Sequence, residues 1–115
     1  MRIAEFAERS GVGVHTLRYY ERIGLLPAIA RNVSGHRQFS EGDLDWVAFI
    51  TRLKNMGMPL AQIRRYAQLR AQGDSTAHAR MILLQEHATA MAAKIATAQD
   101  HLATIHDKIA YYRSL

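Results

Sequence analysis

Cysteine is absent from the 115-residue chain. No disulfide can staple it, and no thiolate can hold a metal, attack a substrate or sense an oxidant. A run of about eighteen apolar residues, which a membrane span needs, is also missing. The opening MRIAEFAERS carries charges where a signal peptide would need an apolar stretch. These absences predict a cytoplasmic protein with no membrane partner. The chain lacks a Gly-rich phosphate loop, a Gly-x-Ser-x-Gly elbow and paired carboxylates in a pocket-forming context, so it is not expected to be an enzyme. It is too short for a large enzyme barrel. With 49% hydrophobic and 22% charged residues it has globular composition, enough for one compact domain or a small domain plus an appendage.

What the chain does have is positive charge, unevenly placed. The formal charge is +5 and the isoelectric point about 10.0, values that suit a polyanionic partner. Residues 1–72 hold eleven Lys and Arg against six acids, whereas residues 73–115 hold four of each. The first part therefore carries the whole net charge.

Periodicity divides the chain in the same place. Ile3, Phe6 and Ala7 mark a short amphipathic helix that Gly11 breaks. Val14, Leu17 and Tyr20 begin a second, which continues to Arg22 or Ile23 with Gly24 as its stop. Two short helices about a glycine turn make a helix-turn-helix candidate. The helical period is lost from Ala28 to Phe39, where a small hairpin with Ser34-Gly35 near its tip fits. Ser40 and Asp43 read as a capping box ahead of a third helix through Leu44, Val47, Phe49, Ile50 and Leu53 to about Met56-Gly57. Pro59 opens a fourth that passes Ile63 and Tyr66 and ends near Arg70.

Gly73-Asp74-Ser75 is the clearest boundary, with Asp74 or Ser75 as the N-cap of one long helix. In that helix Met81, Leu84, Ala88, Met91, Ile95, Ala98, Leu102, Ile105, Ile109 and Tyr112 follow alternating steps of three and four, the spacing of a coiled-coil seam. A helix of about 36 residues, roughly 54 Å long, cannot cover that stripe by folding onto a head of 72 residues. Self-association into a homodimer is the economical solution. The expected division is residues 1–72 for the head and 73–115 for the dimerisation helix. The six histidines do not predict a metal site. His101 and His106 are five apart rather than the four that align two ligands, and Glu86-His87 and Asp100-His101 are adjacent residues that face apart. His78, His87, His101 and His106 read as polar positions flanking the seam, and no cofactor is expected.

The second helix carries the functional pattern. Leu17 and Tyr20 can pack inward while His15, Thr16, Arg18 and Tyr19 face out near the helix start, where a helix inserted into a DNA groove makes its contacts. Arg18 can fork onto a guanine edge or a phosphate, Thr16 can meet a thymine methyl or a phosphate, and the Tyr19 hydroxyl can fix backbone position. An ordinary solvated helix face with two core tyrosines accounts for the same pattern.

The strings TLRYYERIGLLPA and RNVSGHRQFSEGDLDWVAFITRLKNMGMPLAQIR resemble the MerR family of bacterial transcription regulators across nearly the whole basic half. An RYYE-x-x-G-L block, an R-x-x-x-G-x-R-x-F wing and an L-K-x-x-G-M-x-L-x-x-I block stand in the right order. The resemblance implies a mainly α fold, a winged helix-turn-helix head followed by a long coiled-coil helix that dimerises antiparallel. Arg18 and Tyr19 would then be the main recognition-helix contacts, with Val14, His15 and Thr16 beside them. Arg31, His36 and Arg37 would supply the wing contacts, and Lys54 a phosphate contact. The partner would be double-stranded DNA at a near-palindromic promoter operator. Bend and twist of that DNA would realign the promoter for RNA polymerase.

Within the family the chain is most similar to the aldehyde- and nitrosative-stress branch, through FI-x-x-LK-x-x-GM-x-L and the LR-x-x-GD-S-T linker. Arg52 occupies the place of that branch's sensor cysteine in the stretch Phe49-Ile50-Thr51-Arg52, so electrophile sensing through a thiol is excluded. The chain ends three residues after Tyr112, which predicts no appended ligand domain. The alternative from another class is an architectural or interaction protein that uses the winged head as a docking module without sensing anything.

Overall fold

The structure is a computed structural model that describes residues 1–27 and 29–115. Its elements are α1 (Ile3–Ser10), α2 (Val14–Arg22), α3 (Glu41–Asn55), α4 (Leu60–Ala71), a single 3-10 turn (Asp74–Thr76) and α5 (Ala77–Arg113). The chain forms two compact units, Met1–Met81 and Ile82–Leu115. No helix among the described residues is long and apolar enough to cross a membrane.

Local chemistry sets most of the boundaries. Gly11 closes α1 in the left-handed region at φ 72°, and its N–H donates to the Ala7 carbonyl, a stop that a residue with a Cβ takes only under strain. The Ser40 hydroxyl accepts from the Asp43 N–H at 3.1 Å, and the Asp43 carboxylate accepts from the Ser40 N–H at 2.9 Å. This reciprocal pair satisfies two donors at the start of α3. Pro59 is the N-cap of α4, where its missing N–H costs no helical bond.

In the first unit α1 packs against α2 and α3, and α3 against α4. The core is built from Phe6, Leu17, Leu26, Val47, Ile50 and Ile63, all essentially out of solvent. Each such side chain contributes about 1.5–3 kcal/mol of transfer free energy. Phe6 stacks on Phe39 with ring centroids 4.4 Å apart, which fastens α1 to the segment leading into α3. The Phe39 N–H donates to the Met1 carbonyl at 2.6 Å. Trp46, buried on α3, donates its indole N–H to the Leu25 carbonyl at 2.7 Å, and Arg64 Nε donates to the Ile23 carbonyl at 3.1 Å. These two bonds pin the chain just after α2 to the second helix pair.

Three expectations need correction. The hairpin is present only in its smallest form: among the described residues Arg31 and Arg37 make one antiparallel bridge and no strand. The Asn32 side-chain oxygen accepts from the Ser34 and His36 N–H groups, so those donors serve a tight turn rather than a longer ladder. Ala28, where the loss of helical period begins, lies outside the described residues. Neither Asp74 nor Ser75 caps α5. Both belong to the 3-10 turn, and Gly73 precedes it at φ 93° without a side-chain cap. Thr76 decides this, because its hydroxyl lies 2.5 Å from the Leu69 carbonyl and 2.8 Å from that of Gly73 and tightens the turn. Third, His87 is buried, and its Nε2 has no hydrogen-bond partner. Periodicity assigns a residue to a side of a helix and does not say what covers it.

Candidate nucleic-acid interface

The second helix begins without a capping side chain, since Gly13 occupies its N-cap position. Its first-turn N–H groups therefore keep no side-chain partner at that end. Leu17 and Tyr20 are buried and hold the helix against the core, while His15, Arg18 and Tyr19 are exposed and Val14 and Thr16 are half-buried. Arg22 sits over the Tyr19 ring with its guanidinium carbon 5.5 Å from the centroid. That contact stiffens a ring which would otherwise swing freely in solvent.

The wing between Ala30 and Gln38 is shaped by its own polar groups. The Gln38 N–H donates to the Ala30 carbonyl at 2.8 Å, and that of Asn32 to the His36 carbonyl at 2.9 Å. Gly35 takes φ 80°, and Arg31 Nη1 donates to its carbonyl at 2.7 Å. Val33, at the tip, is fully exposed.

Folding brings the wing beside α2. A cleft of about 200 Å³ is lined by Arg2, Ile3, Arg18, Arg31, Gly35, His36 and Arg37. A neighbouring cleft of about 330 Å³ is lined by Arg18, Glu21, Arg22 and Arg37. Arg18 and Arg37 are walls of both. Five guanidinium groups thus gather with one imidazole and one carboxylate. Guanidinium groups so placed recognise phosphate or carboxylate oxygens through paired charge-assisted hydrogen bonds.

Of the residues expected at a DNA surface, Arg18, Arg31, His36 and Arg37 share the first cleft. Val14, His15, Thr16 and Tyr19 are on the same helix as Arg18 but line neither cleft. Lys54 is exposed at the end of α3, also outside the clefts, with its ammonium 5.9 Å from the Tyr20 ring centroid. Arg37 is not a free surface cation. Its Nε lies 2.9 Å from Glu21 Oε2, and the two side chains are only 28% and 20% exposed.

Sequence reading missed Arg2, Glu21 and Arg22. The Arg22 signal was available, since it stands one helical turn from Arg18 on the same helix. Arg2 joins the site only because α1 begins beside the wing, which no local pattern reveals. In α5 the seam side chains Met81, Ile95, Leu102, Ile105, Ile109 and Tyr112 are exposed, as are Ala88 and Ala98, while Leu84 and Met91 are half-buried. Among the described residues no three His, Cys, Asp or Glu side chains gather as metal ligands would.

The family model of MerR helix-turn-helix regulatory proteins matches residues 1–70, and a second model, MerR DNA-binding, matches residues 44–108. The chain belongs to the MerR family. Among curated relatives, a helix-turn-helix transcriptional regulator of Haemophilus influenzae, itself uncharacterized, is 36% identical over 110 residues, which are 96% of this chain and 82% of that one. A crystal structure described as a MerR family transcriptional regulator from Listeria monocytogenes matches at 38% identity and a TM-score of 0.88, over 97% of this chain and 85% of that one. The structure of HiNmlR, a MerR family regulator lacking the sensor domain and bound to promoter DNA, matches at 34% identity and a TM-score of 0.81. That match spans 98% of this chain and 90% of the other. The fold is accordingly mainly α, with the helix-turn-helix head and long terminal helix of MerR regulators.

Proposed function

We propose that this MerR-family chain is a sequence-specific DNA-binding regulator of transcription rather than an enzyme. In this reading it works in the cytoplasm as a homodimer on a near-palindromic promoter operator. Residues 1–72 are the DNA-binding head and residues 73–115 the dimerisation helix, an antiparallel coiled coil along Met81, Leu84, Ala88, Met91, Ile95, Ala98, Leu102, Ile105, Ile109 and Tyr112. Arg18 and Tyr19, flanked by Val14, His15 and Thr16, read the major groove. Arg31, His36 and Arg37 grip the backbone, and Lys54 adds a phosphate contact. By stabilising one bend and twist of the operator over another, the dimer changes how RNA polymerase meets the promoter.

The observation that carries the reading is the arginine-lined clefts between α2 and the wing on a chain whose DNA-bound relative covers it nearly end to end. The test is Arg18→Ala. Affinity for a duplex that the parent selects from a random library falls by about 1–3 kcal/mol, and discrimination flattens at one position of each half-site. Unchanged affinity and unchanged base preference would reject the role of Arg18.

A further inference from the structure

Glu21 is the one carboxylate lining either cleft, and all its neighbours there are arginines: Arg18, Arg22 and Arg37. On a surface that binds a polyanion such a charge is unfavourable by simple electrostatics, because it repels phosphate. Its position explains its presence. Glu21 Oε2 lies 2.9 Å from Arg37 Nε, so a residue of α2 is joined to a residue of the wing's returning limb. Both atoms are enclosed, and neither finds an aligned hydrogen-bond partner, so the hold is coulombic. The Nε edge of the guanidinium is engaged, which leaves its terminal nitrogens as the groups that can fork onto a phosphate.

We propose that Glu21 is a positioning residue for DNA binding. It tethers the wing to α2 through Arg37 and sets the direction in which that guanidinium meets the DNA backbone. It also offsets the mutual repulsion of the arginines that line the clefts, which would otherwise drive the wing away from α2. This rests on the DNA-binding reading above.

The sign of one experiment separates the proposal from plain electrostatics. Full-length parent, Glu21→Ala, Glu21→Gln, Arg37→Ala and the double Glu21→Ala/Arg37→Ala variant are titrated with the parent-selected duplex and with a scrambled duplex of the same composition, each at several salt concentrations. Glu21→Ala loses about tenfold on the selected duplex, a usual coupling for groups in direct contact. On the scrambled duplex it binds as well as the parent or more tightly. Its salt slope on the selected duplex falls as that of Arg37→Ala does, by about one unit per lost phosphate contact. Glu21→Gln, isosteric but uncharged, loses affinity for the selected duplex much as Glu21→Ala does, since the hold is coulombic. In the Arg37→Ala background the Glu21 change has no further effect.

Tighter binding of Glu21→Ala to the selected duplex, equal losses on both duplexes, or losses that add in the double variant would each overturn the proposal. Should Glu21→Ala melt at the assay temperature, Glu21→Gln decides the matter by the same comparison, parent-like affinity and slope counting against it. A parent that selects no duplex at all would remove the DNA-binding reading and this proposal with it. A parent that selects a duplex, beside Glu21→Gln and Glu21→Ala variants that bind it as tightly as the parent does, removes only the proposal.

Discussion

The two compact units of this chain handle apolar side chains in opposite ways. In Met1–Met81, Phe6, Leu17, Leu26, Val47, Ile50 and Ile63 are withdrawn from water by neighbours within the unit. In Ile82–Leu115, Ile95 is 52% exposed, Leu102 51%, Ile105 56% and Tyr112 64%. Charge differs as well, since residues 82–115 hold three bases and three acids and the net positive charge lies before them. One unit completes its core within a single copy and spends its charge on its surface. The other spaces its apolar residues along one helix and leaves them in water, an arrangement that becomes favourable once a second copy covers the stripe. In the function proposed above, recognition and assembly fall to different kinds of surface, one electrostatic and one apolar.

The comparison is broken most severely at the stripe. Ile95→Asp or Leu102→Asp is expected to give monomers by light scattering and to weaken binding to the selected duplex by a hundredfold or more, as about expected when two half-site contacts are no longer linked. The same variants should keep the denaturation midpoint of the first unit. Dimers that persist in either variant would reject the seam.

A smaller effect, confined to the other unit, follows from Phe6→Ala. Losing the stack on Phe39 and leaving a cavity should lower stability by about 3–5 kcal/mol in chemical denaturation. A loss under about 1 kcal/mol would mean that the cavity collapses without cost.

The smallest effect concerns pH. Arg9 holds Glu41 in a two-point contact at 2.7 and 3.0 Å. The hydrogen bond from that guanidinium keeps the Glu41 carboxyl below its ordinary 4.5. A carboxyl depressed on folding stabilises the native state above its unfolded value, and that contribution is lost as pH falls through the folded value. Both side chains are well exposed, so solvent screens the pair and the contribution is slight. Parent and Glu41→Gln should therefore differ slightly in melting temperature near neutral pH and converge as pH falls through the folded value of that carboxyl. A difference that grows on acidification would contradict the sign.

What could be read from the sequence was what neighbouring residues decide among themselves. The Ser40 and Asp43 box, the stop at Gly11, the start at Pro59 and the three-and-four spacing from Met81 to Tyr112 are local matters of a few residues, and the helices lie where those signals put them. The exposed face of α2 was legible for the same reason, since burial of Leu17 and Tyr20 leaves Arg18 and Tyr19 outward. What escaped depends on contacts between distant segments. Arg2 reaches the cleft through the packing of α1, Glu21 meets Arg37 across sixteen positions of chain, and Trp46 was not picked out although its indole anchors Leu25. The 3-10 turn at Asp74–Thr76 escaped because Asp and Ser are ordinary helix caps. Only the hydroxyl of Thr76, reaching back to Leu69, makes the tighter turn the better solution.

Gly73 stands at φ 93° and ψ −166°. No atom lies within 4 Å of where a Cβ would stand, so the barrier to any ordinary side chain there is torsional and not steric crowding. The opposite enantiomer has the mirrored map, in which this torsion is a relaxed extended one. Position 73 is thus a point where the polypeptide must be achiral or inverted. Chemical synthesis with D-alanine at that position would preserve the joint that L-alanine strains.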